Sequence, residues 1–286
     1  DPLPWLRTFD PWEGRCWATG LGGAPRSGSS GEVLNTGEKS LAGPDGPDQE
    51  STSESMNAWA AMFLWGLVTG QDEFIHMGAA GYAIEAQAIR EYWYDADQSN
   101  MPPAYGPTMS SRVFGSRCDA LTWFSSSLDQ VYGIQYILTG PHMTYQGCYR
   151  DYRILDYNDL RAVFDPDAIT PGWKDIHWMY RCFFEPQQVL SEYRSEEPVD
   201  DGNTQANLYY WIHAMNSLGA VHEELYSDYP ALVILSTGAA TNYIAFNHTE
   251  GPVTARIYRA SNNALSEKSS SATIAPPPWP PMPMTT

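Results

Sequence analysis

Apolar residues recur at helical spacing in five stretches of the chain. The first runs from about residue 51 to 68, with Met56, Trp59, Ala60, Phe63, Leu64 and Leu67 on the repeat, and stops near Gly66 to Gly70. A short TGQDE turn leads to a second helix expected over 73–94. A third is expected over 119–138, ending at Gly140 and Pro141, and a fourth over 175–193 with Pro186 as an interruption. The fifth covers 204–218 and ends at Gly219. Helices of this length, joined alternately by short turns and long loops, predict stacked α-hairpins.

Polar and apolar positions alternate imperfectly in ALVILS (231–236), TNYIAFN (241–247) and VTARIY (253–258), which read as short strands. Residues 1–21 are dense in aromatics and turn residues, whereas 22–47 is a Gly/Ser/Pro/Asp segment read as a long surface loop. The last stretch, 261–286, is Ser-rich and then Pro-rich, and is expected to be a disordered or polyproline tail after a helical unit over 1–260.

Composition narrows the possible partners. A net charge of −18, from 34 acids against 16 bases, would be repelled by phosphate backbones and anionic membranes, leaving neutral polymers. No run of 18 apolar residues appears, so no membrane insertion is expected. The 11 Trp and 18 Tyr have flat faces suited to sugar rings, although they also serve cores. Six scattered histidines form no metal-ligand spacing, and neither a metal nor an organic cofactor is expected. Cys16, Cys118, Cys148 and Cys182 lie far apart and permit two disulfides of undetermined pairing. Asn247-His248-Thr249 is a candidate glycosylation sequon, usable in a secreted chain.

The chemistry concentrates in DQESTSESMNAW, residues 48–59. Glu50 and Glu54 are four positions apart at the start of a helix. Ser51-Thr52-Ser53-Glu54 fits a capping box, in which Ser51 caps the helix and Glu54 reaches back to it. Glu50 precedes the cap and is less well explained as a helix starter. A carboxylate there sits on the rim of the helical unit, after the long loop, where a reacting group would belong.

The segments FDPWEGRCWATGLGG, DQESTSESMNAWAAMFLWG, AIREYWYD, YGIQYILTGP and DDGNTQANLYYWIHAMNSLG occur here in that order. Together they resemble glycoside hydrolase family 81, the inverting endo-β-1,3-glucanases, over about residues 4–247. The resemblance implies a mainly α fold, an (α/α)6-toroid-like catalytic domain lacking its N-terminal part, with a few short strands near the C-terminus. It implies Glu50 as the general base that activates water and Glu54 as its support. The family's general acid is an aspartate in a segment well upstream of FDP, which this chain, beginning at Asp1, does not contain. Asp10, in FDPW, is the local candidate for that role, with a turn-forming Asp before Pro11 as the other reading. Arg15 and Cys16 stand where the family usually has His and Ser.

Candidate sugar contacts are Trp12 and Trp17, with Trp5 beside them, and Asp201, Asn203, Tyr209, Tyr210 and His213. At least one of the two tyrosines is expected on the inner helix face. In DDGN, Asp201 and Asn203 either bind hydroxyls or make a turn around Gly202. The expected activity is hydrolysis of internal β-1,3-glucosidic bonds in a neutral, laminarin-like polysaccharide by an extracellular protein. The alternative is a catalytically degraded relative acting as a glycan-binding or structural extracellular protein. An incomplete toroid would expose apolar helix faces, so pairing with an upstream fragment or with another copy is expected.

Overall fold

Two residues around Ser51 decide where the first helix begins. Ser51 has extended backbone, and its Oγ accepts the amide of Glu54 at 3.4 Å while donating to the Ile134 carbonyl at 3.0 Å. The cap is therefore also a tertiary anchor. The computed structural model describes residues 9–16, 48–114, 118–137, 139–148, 173–200, 202–249, 251–261 and 271–275. The loop expected over 22–47, together with Trp5, Trp17, Asp201 and the proline-rich end, lies outside the described residues.

From that cap, helix α1 runs over Thr52–Thr69 and closes on Gly70, whose φ of 67° is left-handed and suits glycine. Helix α2 (Asp72–Tyr92) returns antiparallel against it. The crossing is tight because α2 turns glycines toward α1. A Cβ on Gly78 would stand 2.5 Å from the Phe63 nitrogen, and one on Gly81 would stand 2.5 Å from the Trp59 ring. Gly78→Ala is expected to lower stability by about 1–3 kcal/mol, since only backbone lies opposite and cannot step aside. Thermal unfolding of the variant measures this; a melting temperature equal to the wild type would rule out the close crossing.

The third expected helix is largely absent. Strands β4 (Arg112–Phe114) and β5 (Cys118–Asp119) lie where it would begin, joined to β3 (Asp48–Gln49) in the order β3-β4-β5. Of the described residues expected in that helix, only Leu128–Gly133 is helical, as α3. Between them the Thr122 hydroxyl accepts the amides of Phe124 and Ser125 at 3.4 and 2.8 Å, and this side-chain turn replaces helical bonds. A 3-10 segment follows at Pro141–Gly147. The fourth expected helix splits, as Pro186 suggests, into α4 (Lys174–Arg181) and α5 (Pro186–Glu192), and α6 spans Gln205–Leu218.

The C-terminal part is two antiparallel three-stranded sheets. One is β6-β8-β9, from Ala220–Val221, Leu232–Ser236 and Thr241–Ala245. The other is β11-β10-β7, from Ser271–Ile274, Val253–Arg259 and Leu225–Ser227. A small hairpin of β1 (Phe9–Asp10) and β2 (Arg15–Cys16) precedes them all in sequence.

The (α/α)6-toroid expectation is therefore corrected. Among the described residues, one long α-hairpin and four shorter helices are combined with several antiparallel sheets, a mixed α/β architecture. The tail is corrected in part as well. Ser271–Ile274 pairs with Val253–Arg256 in register, so this piece joins a sheet. The two-disulfide arrangement does not form, because Cys118 and Cys182 are free thiols.

One core joins the elements. Trp59, Met56 and Ile89 from the hairpin meet Met179 and Ile212 from other helices and Tyr136 and Phe183 from the turns that follow helices. Tyr136 stacks on Tyr180 with centroids 3.7 Å apart. Trp59 is inward, with its indole N–H donating to the buried Glu85 carboxylate at 2.6 Å.

Candidate active site

Glu50 occupies the single residue between the end of β3 and the cap of α1, so a strand edge and a helix start both fix its backbone. Register pairing sets Gln49 opposite Val113, and the Gln49 amide donates to Glu85 at 2.9 Å. From the other side the fully buried Gln135 clamps the same backbone. Its Nε2 donates to the carbonyls of Glu50 (2.7 Å) and Ser111 (3.0 Å), and its Oε1 accepts from the Thr52 amide (3.1 Å) and hydroxyl (2.6 Å).

The Glu50 side chain is largely buried, 11% exposed. Its Oε2 accepts the Trp123 amide at 3.0 Å and lies 3.7 Å from the Arg112 guanidinium, which is committed to Asp48 at 2.6 Å. Its Oε1 is buried with no hydrogen-bond partner among the described residues. Burial pushes the Glu50 carboxyl up to about 7, and the Asp48 and Glu54 charges add to this. The Trp123 amide and Arg112 oppose it without cancelling it. A carboxylate that changes charge near neutrality, with one oxygen left over, is equipped to take a proton from water.

Glu54, one turn along, is exposed and lines an open cleft of ≈ 500 Å³. Thr139, Trp173, Asp200, Asn203 and Asn207 share that lining. Asn203 follows Gly202, whose φ of 98° is left-handed and suits glycine. Its amide donates to Asp175 Oδ2 at 2.6 Å and its carbonyl oxygen accepts from Asn207 at 2.9 Å. Asp175 is itself buried beneath the cleft. Glu50 is not part of the cleft lining; it sits beside it, under the loop that carries Trp123.

Tyr209 and Tyr210 are both exposed, at 53% and 75%. Leu208 and Ile212 take the inner face of α6 instead. Tyr210 stands one turn beyond Asn207 on the same helix face, so it extends the polar row from the cleft. Tyr209 packs against His213, with ring centroids 4.1 Å apart, and both approach Tyr193.

Asp10 is placed differently from a cleft acid. Its Oδ1 accepts the amides of Trp12 (2.9 Å) and Glu13 (3.3 Å), which shapes the β1–β2 turn. Trp12 lies at that turn's tip, 94% exposed. Arg15 is buried there, bonded to Glu13 at 2.6 Å with its guanidinium over the Trp93 ring. Asn247 is also placed unfavourably for a glycan. It is 3% exposed, and its Nδ2 donates to the carbonyls of Gly251 and Ile274, both at 2.8 Å.

Gln135, Arg112, Asp48, Trp123 and Asn207 are the contributors that sequence reasoning missed. Gln135 carried one signal, a lone amide inside the apolar YGIQYIL run, where a buried polar group must have partners.

Comparison with known proteins shows which family the chain resembles. A family model described as "Glycosyl hydrolase family 81 C-terminal domain" matches residues 38–227. A protein of Acetivibrio thermocellus named glucan endo-1,3-beta-D-glucosidase is 28% identical over 86% of this chain and 29% of its own length. One of the same name from Thermobifida fusca is 28% identical over 88% of this chain and 31% of its own length. The solved structure of a glycoside hydrolase family 81 mutant from Clostridium thermocellum superposes with a TM-score of 0.77 at 25% identity, covering 96% of this chain and 34% of that one. The chain thus spans about a third of the length of these relatives. With the match extending over most of its described helices and the candidate glutamates, the chain belongs to glycosyl hydrolase family 81, within its C-terminal domain.

Proposed function

We propose that this chain binds β-1,3-glucan and carries the general-base half of an inverting endo-β-1,3-glucanase site. The observation that carries the reading is Glu50: buried, raised to about 7, with one oxygen unpartnered among the described residues, one turn before a glutamate that lines a cleft. In an inverting reaction one carboxylate deprotonates water on one face of the sugar, while an acid on the other face protonates the leaving oxygen. Glu50 takes the water proton on Oε1. Glu54 raises its proton affinity from the cleft side, and Asn203, Asn207 and Tyr210 line the path of an extended neutral chain. Asp10 holds a turn and is left out of the chemistry.

The names of the relatives support glucan as the substrate, and the acidic composition is suited to a neutral polymer. An extracellular location follows from such a substrate. Residues 1–260 remain the proposed glucanase-like unit, with its boundary extended to include β11. The test is release of reducing ends from laminarin by the chain and by its Glu50→Gln variant. Activity that survives the substitution would overturn Glu50 as the base. Laminarin bound without hydrolysis by the unaltered chain would favour the glycan-binding reading.

A further inference from the structure

Three of the described tryptophans are buried in the core, with Trp59, Trp93 and Trp178 exposed by 5%, 0% and 4%. Trp123 is 76% exposed, and its chain neighbours Leu121 and Phe124 are exposed by 43% and 44%. Three large apolar side chains in four residues are unfavourable to leave in water unless they meet something. The loop that presents them is held in place. Thr122, 2% exposed, bonds the amides of Phe124 and Ser125 and donates to the Ser125 carbonyl at 3.0 Å. Phe124 stands edge-on to the indole, with centroids 5.4 Å apart at 74°, and braces it from one side. A braced, exposed indole loses little freedom when a flat ligand stacks on it.

The same residue is joined to the proposed base through its main chain, since the Trp123 amide donates to Glu50 Oε2 at 3.0 Å. We infer that Trp123 is a sugar-stacking residue, whose indole takes the face of a glucose ring and seats it beside Glu50. This rests on the glucan reading above and adds a binding contact to it. The occupant is a neutral pyranose ring. The unpartnered Glu50 Oε1 next to the loop calls for a donor such as a sugar hydroxyl or a water, and the net charge of −18 disfavours an anionic ligand.

Calorimetric titration of the full chain with laminarihexaose tests this without requiring turnover, in the Glu50→Gln background. Trp123→Ala should weaken binding roughly tenfold, equivalent to about 1.4 kcal/mol. Trp123→Phe, which keeps a flat face, should remain within about threefold. Trp123→Ala leaves the main-chain amide in place, so in the active chain its KM should rise while the acid limb of the kcat/KM profile stays put. Equal affinity of the alanine variant would overturn the inference and leave the glucan reading standing. So would a displaced acid limb, which marks a collapsed loop. Failure of the parent chain to bind laminarihexaose would overturn both.

Discussion

Glu50→Gln is expected to reduce laminarin hydrolysis by about 10²–10⁴-fold, the usual contribution of a positioned general base. The same substitution should make the folded chain more stable at alkaline pH. The two effects have one origin. The fold has burial push the Glu50 carboxyl up to about 7, from the 4.5 of an exposed glutamate. A group raised on folding binds protons more tightly in the native state, so its contribution is favourable at acid pH. That contribution is lost as pH rises through about 7, when a charge must be held in a poorly hydrated place. Glutamine never develops that charge. One pKa unit is worth about 1.4 kcal/mol, and with allowance for screening at the cleft edge the gain at pH 8 is about 1–2 kcal/mol.

Urea unfolding at pH 4 and pH 8 separates the alternatives. Wild type and variant should agree at pH 4 and diverge at pH 8, with the variant the more stable. A variant less stable than wild type at pH 8 would mean that Glu50 is a structural ion-pair partner of Arg112, and the base assignment would fall. Activity has the complementary pH dependence. The kcat/KM of the wild type should rise with pH through an apparent pKa near 7, because only the ionised carboxylate accepts a proton. Glu54→Gln removes a neighbouring negative charge and should move that limb to lower pH.

How much of this was legible beforehand depended on the reach of each interaction. The start of α1, its left-handed end at Gly70 and the break at Pro186 are decided within a few residues, and all were readable from local spacing. Glu50 stood out because it precedes the cap, which is again a local fact. The third helix failed because hydroxyl-to-amide bonds around Thr122 compete with a helical pattern that looks adequate residue by residue. Its loss converted an expected helix into the loop that touches Glu50. Strand β11 was hidden for a different reason. SATI has no strand signal inside a Ser- and Pro-rich stretch, and only its partner, β10, together with the Asn247 amide on Ile274, makes it one. The toroid expectation extended a helical rhythm across regions where such distant pairings prevail.

Gln135 is the clearest case of a residue whose weight comes from distance in sequence, and its removal should give the largest loss of stability. Its one amide group satisfies four polar groups from two segments: the Glu50 and Ser111 carbonyls and the Thr52 amide and hydroxyl. All of these lie where water does not reach, since Gln135, Ser111 and Thr52 are each 0% exposed. Gln135→Ala leaves the four partners without their bonds and opens a void, at about 1–3 kcal/mol for each buried group left unpaired. Some of them will recruit water, so the expected total is about 3–5 kcal/mol, at the upper end for single substitutions. For a chain of this size that corresponds to a fall in melting temperature of roughly 6 °C or more. The loss should also reach the site, because the Glu50 carbonyl is one of the groups released and the proposed base can then drift. Gln135→Glu offers a sharper reading. The acceptor toward Thr52 is retained, but two carbonyls then face a carboxylate. This variant should be most stable at acid pH, where its protonated carboxyl can donate to one of them, and should lose stability as pH rises. Equal stability of Gln135→Ala and wild type would show that the strand and the helix cap hold Glu50 without the clamp.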